Sequence, residues 1–153
     1  GLEPAFFAHM EEIDFCWRAK NTGYKVMYNG HSKVYHVGGG TLHKSNPRKT
    51  FLNFRNGFAL LYKNLPAKEL VPTLTIRLIL DWIAALRMLM AGQTKDARAV
   101  LDAHANLLRN SGYWGRQRKK LTLKGNFPEQ TGVFRGSIVW EYFVRQKRTV
   151  TEL

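Results

Sequence analysis

The succession of apolar and polar positions divides the chain into stretches of different period. After a loop over residues 1–9, where Phe6 and Phe7 should anchor on a core, residues 11–21 repeat at helical spacing. Asn21, Thr22 and Gly23 stop that helix, with glycine where a helix end needs positive φ. Residues 24–28 alternate and predict a short strand, Asn29-Gly30 a turn, and residues 32–37 a second strand. Gly38-Gly39-Gly40-Thr41 predicts a flexible loop whose backbone can approach a ligand closely. It is not a phosphate loop, because no Gly-Lys-Ser/Thr follows at the required spacing.

Helical period then takes over. Ser45-Asn46-Pro47 starts a helix that runs to about residue 64 and is ended by Pro66. Phe51, Phe54, Phe58, Leu61 and Leu65 give it an apolar side, and Arg48, Lys49, Arg55 and Lys63 a basic one. Residues 70–91 are the most apolar stretch, with Thr73, Arg77, Asp81 and Arg87 on a narrow stripe and Arg77 and Asp81 spaced for an ion pair. That pattern fits either a buried packing helix or one lying in a membrane interface. Its charge-free runs are shorter than the roughly 20 residues a membrane span needs. Gly92 caps it, and residues 94–110 form another amphipathic helix in which His104 reads as a packing histidine. Residues 113–124 are a basic run with two aromatics, and Ser137 is placed to cap a short helix over residues 138–145.

Composition narrows this picture. A chain of 153 residues with 44% hydrophobic residues can bury one sizeable core, as one domain or one domain with an appendage. The 24 Lys and Arg against 11 acids give a net charge of +13, which favours polyanionic partners. The single cysteine, Cys16, excludes an internal disulfide and any multi-cysteine metal site, and reads as a small core residue. The chain opens on Gly-Leu-Glu-Pro without Met, which suggests a processed product or an excised piece.

Against so few acids, Glu11, Glu12 and Asp14 stand out within four positions. At about 100° per residue, Glu12 points about 200° away from Asp14. Asp14 and Arg18 lie four apart, which suits an ion pair and a structural role for Asp14. At most one or two of these carboxylates should face a given cleft, and such a group can act as a general base.

Three stretches occur in order: EEIDFCWRAKNTGYKV, then VYHVGGGT, then a basic helix containing NFRNG. Together they resemble the C-terminal part of the catalytic domain of family 2 glycosyltransferases, inverting GT-A-fold enzymes that use nucleotide-sugars. The resemblance covers residues 1–60, and the helical remainder is similar to C-terminal extensions of bacterial transferases that build surface polysaccharides. It implies a catalytic set of Glu12, Glu11 and Asp14. Glu12, where the family has Asp, takes the acceptor hydroxyl proton, with the assignment between Glu11 and Glu12 open. It implies His36 as ligand of a divalent metal, Mn or Mg, in the full-length enzyme, with none tightly bound to this chain. It implies substrate contacts from Trp17, Arg18, Gly38, Gly39, Gly40 and Arg55. Glu12 and His36 should then converge on one pocket.

The expected fold is α+β and mostly helical. Residues 1–65 should be a partial GT-A domain with one helix and a two-stranded element, and residues 66–153 a basic extension of three or more helices. No Asp-x-Asp occurs, so the chain should be the acceptor-side fragment of a longer transferase, inactive alone. Its partners would be a nucleotide-sugar donor and a glycan or lipid-linked acceptor. Exposed apolar surface should drive homo-oligomerisation. The alternative is a basic helical module in which Arg116, Arg118, Lys119 and Lys120 meet an anionic membrane or another polyanion. No nucleic-acid motif is present. The location implied is cytoplasmic, peripheral on the inner face of a bacterial plasma membrane.

Overall fold

The computed structural model describes residues 1–35, 46–121, 134 and 136–149. After a 3-10 turn, Pro4–Phe6, it consists of α1 (Glu11–Asn21), α2 (Pro47–Asn64), α3 (Ala67–Met90), α4 (Thr94–Arg109), α5 (Ser111–Lys120) and α6 (Ile138–Phe143). There is no strand among the described residues, so the expected α+β fold with a two-stranded element is corrected to an all-helical one. Residues 24–35 pair with no strand among the described residues, and Tyr28 and Tyr35 are 93% and 96% exposed. Alternation alone does not make a strand. A two-stranded unit with no packed face is marginal in water.

Local signals account for the helix boundaries. α1 closes with Gly23 at φ 93°, while the Gly23 amide donates to the Lys20 carbonyl and the Tyr24 amide to that of Ala19. The same closure recurs after α3, where Gly92 has φ 75° and the Gln93 amide donates to the Met88 carbonyl. The Asn46 carboxamide oxygen accepts from the Arg48 amide ahead of α2, and Ser137 caps α6.

α2 is the axis of the molecule and packs against α1, α3, α4 and α5. Small residues on α4 (Ala97, Ala99 and Ala103, with Val100) are buried and let the helices approach. Phe6, Ala59, Leu60 and Trp114 form the central apolar cluster, with the Phe6 and Trp114 rings 5.6 Å apart. Phe6 is wholly buried, whereas Phe7 is mostly exposed. Contacts cross the division expected at residues 65 and 66: Tyr113 donates to Glu3 at 2.5 Å, and Arg118 Nη1 to the Tyr62 carbonyl at 2.5 Å.

Two faces differ from the pattern. On α2, Lys63, grouped by spacing with Arg48, Lys49 and Arg55 on a basic side, is 2% exposed and lies between Glu3 and Asp14. It shares a stripe with Asn56, Ala59 and Leu60, and acids distant in sequence wait there. α3 is inverted. The Arg77 and Asp81 part of its polar stripe faces inward, where Arg77 Nε bonds Asp81 Oδ1 at 2.6 Å and His104 Nε2 lies 3.1 Å from Asp81 Oδ2, whereas Arg87 is exposed. Gly57 on α2 admits the Arg77 guanidinium, which a Cβ there would meet at 3.2 Å. The apolar side of α3, including Ile79, Trp82, Ile83, Leu86 and Met90, faces outward. No helix among the described residues is long and apolar enough to cross a membrane.

Candidate functional site

The acidic motif is launched from an unusual loop. Phe7, His9 and Met10 take φ of 63°, 68° and 72°, a region costly for residues with a Cβ, at about 1–3 kcal/mol each. The conformation is held from α2. Asn56 Nδ2 lies 2.9, 2.8 and 2.8 Å from the carbonyl oxygens of Phe6, Ala8 and His9, so two amide hydrogens are shared among three acceptors. Arg55 Nη2 donates to the Ala5 carbonyl at 2.6 Å, and Arg55 Nε fixes the Asn56 oxygen at 2.9 Å. Both braces belong to the NFRNG stretch, which therefore holds the loop that leads into the acidic stretch.

The loop delivers three acids to the first turn of α1, where the helix dipole favours negative charge. They part company at once. Asp14 is fully buried and accepts from Arg18 Nε at 2.7 Å, Lys63 Nζ at 3.1 Å and Asn64 Nδ2 at 2.9 Å. That arrangement ties Asp14 into the framework and leaves it no face toward a substrate. Glu12 is exposed. Glu11 is half-buried, with one carboxylate oxygen shielded from solvent and no hydrogen-bond partner among the described residues.

Behind Asp14 the ionic network continues. Lys63 Nζ donates to Glu3 Oε2 at 2.7 Å, and Tyr113 donates to the other Glu3 oxygen. Burial pushes the Glu3 carboxyl up, but the bonds from Lys63 and Tyr113, with the Lys63 charge, outweigh it and hold the group below its ordinary value. Burial and the Glu3 carboxylate push the Tyr113 hydroxyl up.

Of the other candidate substrate contacts, Trp17 flanks the apolar cluster, and Arg18 is engaged by Asp14 and the Gly1 carbonyl. Arg55 serves as loop brace and also lines a cleft. His36, Gly38, Gly39 and Gly40 lie outside the described residues, so the convergence of Glu12 and His36 has no geometry here. Among the described residues no three His, Cys, Asp or Glu gather to hold a metal ion. In the basic run, Arg116, Lys119 and Lys120 are exposed, whereas Arg118 packs on the Tyr62 ring at 5.8 Å.

Sequence reasoning missed Glu3, Asn56, Lys63 and Asn64. One signal pointed to part of this group: Asn56 and Lys63 recur at helical spacing with Ala59 and Leu60, which places polar groups on a core stripe. No protein-family model, curated protein or solved structure matches the chain.

Proposed function

We propose that this chain is the acceptor-side portion of a nucleotide-sugar-dependent inverting glycosyltransferase, with Glu12 as the base that deprotonates the acceptor hydroxyl. One observation carries the reading. Glu12 projects into solvent from the first turn of a helix whose entry loop is held in a strained form by Arg55 and Asn56. Backbone strain held by surrounding structure favours a positioned functional group. A solvent-facing carboxylate at a fixed helix start can reach a bound hydroxyl, which a general base requires. Glu11, with a shielded oxygen, orients or neighbours it, and Asp14 holds the helix in place. The divalent metal implied by the resemblance enters no step here.

The test is Glu12→Gln in the full-length enzyme that contains this segment, with release of nucleoside diphosphate followed. Loss of a hundredfold or more in kcat is expected, the scale of a general base. Unchanged turnover would overturn the reading.

A second reading concerns placement, and the outward face of α3 favours it: the chain docks on an anionic bilayer. α3 is about 36 Å long at 24 residues, and its apolar side is open along that length. Exposed Lys68 and Arg87 stand near its two ends, where their charges suit lipid headgroups. A second copy would set +13 against +13, so charge favours an anionic surface over self-association. Co-sedimentation with phosphatidylcholine vesicles, with and without phosphatidylglycerol, tests this. Binding that needs the anionic lipid and falls about tenfold in Ile83→Glu supports it. Absence of binding, or a dimer that Ile83→Glu dissociates, would refute it.

A further inference from the structure

A cleft of about 580 Å³ opens between the N-terminal halves of α2 and α4, beside the strained loop. Four cations line it, Arg48, Arg55, Lys95 and Arg98, with the Phe7 and Phe51 rings and a single acid, Asp102. Asp102 lies 3.8 Å from Arg98, and both are well exposed. Among the described residues, Arg48, Arg55 and Lys95 have no acid within ion-pair distance. The remaining acid of this region, Asp96, accepts from Thr50 at 2.5 Å and joins the two helix starts without lining the cleft.

The fold therefore gathers positive charge that it does not neutralise. Arg55 is immobilised by the Ala5 and Phe6 carbonyls and by Asn56, so it cannot swing away from Arg48. Burial, with the nearby Arg48 charge, lowers its proton affinity. Each guanidinium lies over a ring, Arg48 5.2 Å from the Phe7 centroid and Arg55 5.3 Å from that of Phe51. Arg55 already spends Nε and Nη2 on Asn56, Ala5 and Phe6, so the Arg48 edge and the Arg55 Nη1 remain for charge-assisted contacts.

We propose that this cleft binds a diphosphate-bearing ligand. Arg48, Arg55 and Lys95 contact its phosphoryl oxygens, and Phe7 covers the group attached to them. One phosphate brings about −1.5 to −2 charge, so three unpaired cations match two linked phosphates better than one. The volume leaves room for an attached group. The site goes beyond the transferase reading and stands without it. A soluble nucleoside diphosphate and a lipid-linked diphosphate present the same chemistry.

Calorimetric titration of the chain with inorganic pyrophosphate tests the site, with inorganic phosphate as comparison. Pyrophosphate should bind saturably and more tightly than phosphate. Arg48→Glu and Lys95→Glu, neither in the core, should each weaken it at least tenfold, while Arg109→Glu, exposed in the last turn of α4, leaves it unchanged. Amide shifts on titration should fall within residues 46–55 and 94–99. Parallel titrations with a nucleoside diphosphate and with a polyprenyl diphosphate in micelles show which source gains most from the attached group. Absence of saturable binding, or equal loss from Arg109→Glu, would reduce the cleft to general attraction by a cationic chain and overturn the proposal.

Discussion

α2 and α3 are adjacent helices built to opposite rules. α2 carries Asn56, Lys63 and Asn64 inward, each fully or almost fully buried, and gives their nitrogens loop carbonyls, Glu3 and Asp14 as acceptors. α3 buries Asp81 and turns Ile79, Trp82, Ile83 and Leu86 to solvent. The contrast teaches that polar character does not decide which side of a helix is inside. Partners do. A buried charge is tolerated where an opposite charge and hydrogen bonds meet it, and the Arg77–Asp81–His104 group supplies this for α3. Once that group sits inward, the apolar side of α3 has only the outside left.

The sharpest break in this contrast is Lys63→Met. It leaves Glu3 and Asp14 buried beside an apolar side chain, and stability should fall by about 3–5 kcal/mol in denaturant titration. A loss under 1 kcal/mol would mean that the network is not what holds α1 to α2.

Next in size is a pair of truncations. Val100→Ala, in a side chain with no exposure, should cost about 2 kcal/mol. Ile83→Ala removes more carbon but should stay within about 0.5 kcal/mol, because that side chain is already in water. Similar losses from both would show the outer side of α3 to be covered.

The smallest effect is in acid. Glu3 has a folded-state pKa below its ordinary value of 4.5, so the unfolded chain binds this proton more readily. Its contribution is complete above pH 4.5 and disappears as pH falls through the lowered folded value. Glu3→Gln should flatten the pH dependence of the unfolding midpoint below pH 4.5; an unaltered slope would assign the acid sensitivity to other carboxylates.

How much of this was legible follows the range of each cause. Helix ends were legible at Gly23, Asn46-Pro47 and Gly92, because a cap depends on neighbours within a few positions. The paired strands were not, since residues 24–28 carry a strand-like alternation and meet no partner strand among the described residues. Asp14 with Arg18 was legible as an i, i+4 pair, but Glu3 and Lys63, 60 positions apart, were not. For α3, spacing grouped Arg77 with Asp81 correctly and left the facing direction open. That direction depends on Gly57 and His104, which lie on other helices. The basic cleft was illegible for the same reason: Arg48 and Lys95 come together only through the pairing of two helix starts.

The outward side of α3 also sets the colloidal behaviour of the free molecule. An uncovered oily strip invites adsorption and clumping, while like charge on every copy holds neighbours apart. Salt shrinks the reach of that repulsion to about 8 Å at physiological strength and leaves the strip as it was. Dilute, desalted solutions should therefore stay clear, and light scattering should climb as sodium chloride is added.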